Sequence, residues 1–217
     1  ATVSEAERLL EHINILNENF IDELPLSPLH WIISDKGRSI TLESVNEGIK
    51  VYDNSVGVLT NNPTFDYQLF NLNNYMSLTN GTPQNTFAID NNLQLKTYSR
   101  GMGAMGLPGD YSSMSRFVRA TFVKMNSVSG NSKNESVGQF FHILQSVAMP
   151  RGCVRVGEND YAVTLYSSCC NTDRGIYYYT TYNNNQINAV DMHKENLNGN
   201  TLIAYPLKTQ QAINYQN

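Results

Sequence analysis

Cysteine is scarce in this sequence, tryptophan occurs once, and long apolar runs are missing altogether; each shortage closes a class of function. Three cysteines, Cys153 and the adjacent Cys169 and Cys170, do not make a disulfide framework. They also stand at no zinc-ligand spacing, and His12, His30, His142 and His193 fall on different elements, so no metal is expected. Free thiols in an apolar context suit a reducing compartment, which makes cytoplasm the default expectation. No apolar run approaches the roughly twenty residues of a membrane span, and no charged-then-apolar leader opens the chain. Charged residues make up 16% of the chain and sum to −4, which gives no reason to expect nucleic acid or an anionic membrane as partner. What is present is a globular composition, 41% hydrophobic over 217 residues, enough for one large domain or a substantial part of one. The chain opens Ala1-Thr2-Val3 without an initiator methionine, so a piece of a longer polypeptide is expected.

The pattern of apolar residues divides the chain into alternating blocks. Ser4 to about Leu16 reads as a helix, with a Ser4–Glu7 capping box and a stripe of Leu9, Leu10, Ile13 and Leu16. The loop DELPLSPL (22–29) is more apolar than a solvated loop requires, and reads either as a cover over a core or as a pocket wall. Short strands follow at 30–34, 39–43, 49–52 and 56–60, joined by Asp35-Lys36-Gly37, Asn46-Glu47-Gly48 and Asp53-Asn54. Connections this short join antiparallel neighbours, giving a meander. A weaker helix runs from Asp66 to about Leu78, then a long Asn-rich loop. Glu135–Ala148 reads as a helix with Val137, Phe140, Phe141, Leu144 and Ala148 inward, and His142 lies off that stripe. Strands are then expected at 161–168, 175–182, 186–192 and 201–207. The tyrosine stripe of 177–182 reads as sheet packing. Helix, β block, helices, β block implies an α+β architecture of antiparallel sheets covered by helices.

Two places resist a purely structural reading. Gly106–Phe122 reads as a Gly/Pro turn launching a helix, with Asp110, Ser112 or Ser113 as cap and Met114, Phe117, Val118, Thr121 and Met125 on the apolar face. Arg116 falls in its first turn, where the helix dipole prefers anions and a cation loses roughly 0.3–1 kcal/mol. It pairs either with an ordinary carboxylate, Asp110 being nearest, or with a specific acceptor. Asn61 ends the strand TNNP, as a turn former or as a placed amide donor; Pro63 is expected to hold Asn62 extended. The GMGAMG run (101–106) is not a dinucleotide fingerprint, because Pro108 follows and no βαβ pattern surrounds it. Its glycines read as points of close backbone approach.

The segments PLHWIISD (28–35), GVLTNNPTFDYQLFNLNNY (57–75), GLPGDYSSMSRFVRA (106–120), QFFHILQSVA (139–148) and GIYYYTTYNNNQINAVDMHKENL (175–197) resemble the bile salt hydrolases, or choloylglycine hydrolases, relatives of penicillin V acylase. The resemblance covers nearly the whole chain with its motifs in order. It implies an N-terminal nucleophile hydrolase, a four-layer αββα sandwich, of which residues 1–217 are the C-terminal part of a single domain. It implies cleavage of the amide between a bile acid and glycine or taurine by an N-terminal cysteine, with no cofactor and no metal. Matched to the family's motifs, Asn61 would donate to the oxyanion and Arg116 would stand by the nucleophilic sulfur. Phe20, Leu24, Ser27 and Leu29 fall where the family's substrate loop lies, and 71–99 resembles its assembly loop, implying a homotetramer. The family's nucleophile precedes this part, so the polypeptide alone is expected to be inactive. A penicillin V acylase or other linear amidase, and a non-catalytic assembly module, are the competing readings.

Overall fold

A three-stranded antiparallel meander organises the first half of the molecule. The structure, a computed structural model, describes all residues except 1, 17, 24–25 and 88–91; Leu24 and part of the 71–99 loop therefore lie outside the described residues. The chain divides into two compact units, Ala1–Asn126 and Ser127–Asn217.

In the first unit, β1 (His30–Ser34), β2 (Ser39–Val45) and β3 (Gly48–Asp53) pair in that order. The β1–β2 turn forms because the Asp35 carboxylate accepts from the backbone of Gly37 and Arg38, an Asx-type closure. The other Asp35 oxygen accepts from the Val3 backbone at 2.8 Å, docking the start of α1 (Val3–Leu10) on that turn. β2 is central and buried on both faces, from Ile40 to Glu43. Opposite residues of antiparallel strands share a face, so Tyr52 lies opposite Thr41 and His30 opposite Glu43. Phe65 opens α2 (Phe65–Asn71) and stacks between Tyr52 and Phe117 with ring centroids 5.9 and 6.0 Å away. Phe117, Val118 and Thr121 are the buried face of α3 (Ser113–Asn126).

Several expectations for this unit need correction. The first helix is capped one turn boundary earlier, by a Thr2–Glu5 box, and ends at Leu10; Leu9, Ile13 and Leu16 are exposed, and Val3 is the buried residue. Residues 56–60 form no strand. The Asn54 side chain takes over there: its amide donates to Val58 O and Thr41 Oγ1, and its oxygen accepts from Gly57 N. Gly57, at φ +60°, makes the turn possible. Lys124 from the end of α3 then donates to the carbonyls of Val56 and Gly57. The Asn62–Pro63 peptide is cis. The helix after it is shorter than expected, passing into a 3₁₀ turn at Leu72–Tyr75. The GMGAMG run is a 3₁₀ turn, Met102–Ala104, and its middle glycine does pack on backbone: a Cβ on Gly103 would meet Gly81 O at 2.2 Å and Thr79 O at 2.6 Å.

In the second unit, α4 (Lys133–Gln145) packs Val137 and Phe141 on Ile176 and Tyr178. It is capped by a Ser132–Glu135 box and starts two residues ahead of the expected Glu135; Phe140 is exposed, as is His142. The strands β4 (Tyr166–Asn171), β5 (Ile176–Thr181) and β6 (Asn184–Asp191) form an antiparallel meander. Residues 161–165 precede the first strand and 201–207 form no ladder. Pro206 has no N–H to give one. That tail is tied instead by single bonds, such as Thr181 Oγ1 to Lys208 O at 2.9 Å.

Candidate active site

Asn61 and Arg116, separated by fifty-five positions, meet: Arg116 Nη2 donates to Asn61 Oδ1 at 2.8 Å. The Arg116 Nε donates to Tyr111 O at 3.1 Å, so the guanidinium is fixed by two bonds rather than by a carboxylate. Asp110, the ordinary partner considered from sequence, is committed elsewhere. It accepts from Ser112 N at 2.9 Å and from Ser115 Oγ at 2.5 Å, and those two serines hold its pKa down to about 2. Ser112 in turn caps α3, accepting from Ser115 N. Partial burial lowers the Arg116 pKa, with a smaller contribution from neighbouring Arg119; a guanidinium keeps its charge in proteins all the same.

The contact settles which way the Asn61 amide faces. Arginine only donates, so the atom turned to it is the carbonyl oxygen. The NH₂ is left without a partner among the described residues. The backbone carbonyl of Asn61 is held as well, by Ser113 Oγ at 2.7 Å and Gln68 Nε2 at 3.1 Å. Gln68 is 1% exposed and also donates to Thr60 Oγ1 and Ser113 Oγ. Two helices, α2 through Gln68 and α3 through Ser113 and Arg116, therefore fix a carboxamide that presents an unspent donor beside a cation. That combination is suited to a developing oxyanion and to an anionic nucleophile.

Behind this loop sits a buried pair. Glu43, 2% exposed, faces His30 with Oε1 2.6 Å from Nδ1. Both Glu43 oxygens accept from Phe65 N, at 3.1 and 3.0 Å, and His30 Nε2 lies 3.1 Å from Asn62 Oδ1. Next to it a pocket of about 290 Å³ is lined by Ile15, Leu26, Ser27, Leu29, Trp31 and Asn62, among others. Of the candidate substrate residues, Ser27 and Leu29 line this pocket; Phe20 points outward at 90% exposure and is not among its lining residues. Among the described residues no three His, Cys, Asp or Glu side chains group as a metal site. Burial and then Cys170 raise the Cys169 pKa, away from nucleophilic character. No helix of the described residues is long and apolar enough to cross a membrane.

A family model of the linear amide C–N hydrolases, choloylglycine hydrolase family, matches residues 1–205. The chain belongs to that family. Among its relatives, the bile salt hydrolase/transferase of Lactiplantibacillus plantarum is 56% identical over 97% of this chain and 64% of that protein. The bile salt hydrolase/transferase of Clostridium perfringens is 42% identical over all of this chain and 66% of that protein. The chain thus spans just under two thirds of the length of these curated relatives. A crystal structure of a mutant conjugated bile acid hydrolase from Clostridium perfringens matches the whole chain at TM-score 0.88 and 41% identity, with 65% of that protein covered. Penicillin V acylase from Agrobacterium tumefaciens matches 89% of the chain at TM-score 0.61 and 24% identity, covering 52% of that protein; this is a likeness of fold alone. The α+β architecture of this choloylglycine hydrolase family member is accordingly that of the N-terminal nucleophile hydrolases.

The two catalytic candidates from sequence, Asn61 and Arg116, are brought together here, beside Gln68, Ser113, His30 and Glu43, to which no part in the site had been given. Gln68 carried no expected role, and Ser113 only that of a possible helix cap. Their only earlier signal is a polar residue at a position helical spacing turns inward.

Proposed function

We propose that this chain is the C-terminal part of a conjugated bile acid hydrolase, residues 1–217 forming part of one N-terminal nucleophile hydrolase domain. The observation that carries the reading is the 2.8 Å bond from Arg116 to Asn61 Oδ1, which leaves the Asn61 NH₂ free to donate. The reaction runs as acyl transfer to a cysteine at the N-terminus of the whole enzyme. Its thiolate, favoured by the Arg116 charge, attacks the amide carbonyl. Asn61 Nδ2 donates to the oxyanion that forms, a role typically worth about 10²–10³ in rate. Collapse releases glycine or taurine, protonated as it leaves, and water then hydrolyses the thioester to free the bile acid. No cofactor or metal takes part, and without its N-terminal nucleophile the polypeptide is inactive.

The sterol body occupies the apolar pocket beside Asn62, with Ser27 and Leu29 in its wall. The exposed Met76, Phe87 and Tyr98 support the 71–99 segment as the contact between copies in a homotetramer, and free thiols support a cytoplasmic enzyme. The test is hydrolysis by the complete enzyme of glycocholate, taurocholate and penicillin V. Preference for the conjugated bile acids is expected. Preference for penicillin V would make it a penicillin acylase, and no turnover of any of the three would make it a non-catalytic module.

A further inference from the structure

Asn61 is pinned on its near side by Gln68, Ser113 and Arg116. The segment that follows it, Asn62 to Phe65, bonds to α2 through Pro63 O and Thr64, and its side-chain ties to the sheet run to one buried pair. His30 Nε2 is 3.1 Å from Asn62 Oδ1. Glu43 receives the Phe65 N–H on both oxygens. The two side chains meet at 2.6 Å across β1 and β2, exposed by only 7% and 2%. A buried ion pair is weak evidence for stability, because desolvation offsets most of its attraction. This pair spends its remaining hydrogen-bonding capacity on the backbone and side chain of the loop rather than on the sheet that carries it.

We infer that His30 and Glu43 are positioning residues: they set the place of the Asn61 carboxamide by clamping both ends of the Asn62–Phe65 segment. The inference rests on the reading of Asn61 as oxyanion donor. Neither side chain touches the reacting atoms. They act through the loop, and a carboxamide displaced by about 1 Å can cost on the order of 10² in rate.

His30→Asn tests this in the complete enzyme. An asparagine amide reproduces the Nδ1 position of imidazole but not the Nε2 position, so the variant keeps a donor for Glu43 and loses the reach to Asn62. Folding is checked by thermal melting. Glu43→Gln, which still accepts from Phe65 N with its one carbonyl oxygen, is the second variant. The readout is kcat and KM for a glycine conjugate, in the parent and in an Asn61→Ala background. His30→Asn is expected to lower kcat by roughly tenfold with KM within about twofold, and Glu43→Gln, which keeps the tie to Phe65, to lower it by less. In the Asn61→Ala background the same change is expected to cost less than about twofold, because a donor that is gone cannot be misplaced. An equal loss in both backgrounds, a loss confined to KM, or an unchanged kcat in a folded variant overturns the positioning role while Asn61→Ala stays impaired. If Asn61→Ala itself keeps the parental kcat, the oxyanion reading fails first, and the positioning role with it.

Discussion

The proposed mechanism gives Arg116 two roles that one substitution separates. Its charge favours a thiolate, whereas its fork orients an amide, and lysine keeps only the first. In Arg116→Lys the ammonium cannot make both the bond to Tyr111 O at 3.1 Å and the bond to Asn61 Oδ1 at 2.8 Å, since arginine makes them with a rigid planar group. A charge-assisted bond of this kind contributes about 1.5–3 kcal/mol. At about 1.4 kcal/mol per factor of ten, losing it weakens the preference for the productive amide orientation by roughly 10- to 140-fold. The ceiling is the about 10²–10³ of a lost oxyanion donor. Arg116→Lys should therefore lower kcat by about tenfold or more, yet leave the pH dependence of thiol alkylation close to that of the parent. Arg116→Ala should lower kcat further and move alkylation to higher pH, because the thiol loses the cation that held its pKa down. The assay is iodoacetamide inactivation against pH beside steady-state hydrolysis, both in the complete enzyme. Full kcat in Arg116→Lys refutes the orienting role; an unshifted alkylation profile in Arg116→Ala refutes the electrostatic one.

Two further outcomes are expected. Asp110, held at about pKa 2 against an ordinary 3.8 by Ser112 and Ser115, has a depressed folded value. Its stabilisation is thus fully present above about pH 4 and lost as pH falls toward 2. Melting curves of Asp110→Asn and the parent should differ at pH 6 and converge near pH 2; a pH-independent gap would show that the ionised carboxylate contributes nothing. Gly103→Ala should destabilise by about 1–3 kcal/mol, because its Cβ would lie 2.2 Å from backbone at Gly81. Gly138→Ala, inside α4 with open space around it, should instead stabilise by about 0.5–1 kcal/mol; urea unfolding measures both, and the same sign for the two would contradict the packing argument.

What could be read beforehand was whatever the chain writes locally. Asp35-Lys36-Gly37 and Asn46-Glu47-Gly48 gave the β1–β2–β3 meander, and the apolar spacing of 113–126 gave α3, because turn chemistry and helical period act over a few residues. The expected strand at 56–60 failed for an equally physical reason. Val56, Val58 and Leu59 have strand character, but Asn54 offers the backbone a side-chain partner that a ladder must outcompete, and here it wins. The tail at 201–207 failed similarly: its alternation is good, yet Pro206 has no N–H for a ladder, and the segment is tied by an isolated bond from Tyr205 Oη to the Glu195 carboxylate. His30 and Glu43 could not be paired in advance, since their meeting depends on cross-strand register, which residue spacing leaves open until both strands and their turn are fixed.

The costs in the first unit converge on one residue. Arg116 sits at the end of a helix that disfavours it, in a first turn that carries no acidic residue to compensate. Gln68 is buried with its Oε1 lacking a hydrogen-bond partner among the described residues, a deficit of about 1–3 kcal/mol, because its Nε2 must face Thr60, Asn61 and Ser113. Turning the amide over would satisfy the oxygen no better, since the atoms it would then meet are themselves acceptors or hydroxyls already engaged. A fold selected for stability alone would place leucine at 68 and glutamate at 116. Both departures hold the two carbonyl groups of Asn61, and together they leave its NH₂ as the free donor of the cluster. Local rules broken at separate positions toward one shared end support the proposed role of Asn61 over scattered imperfection.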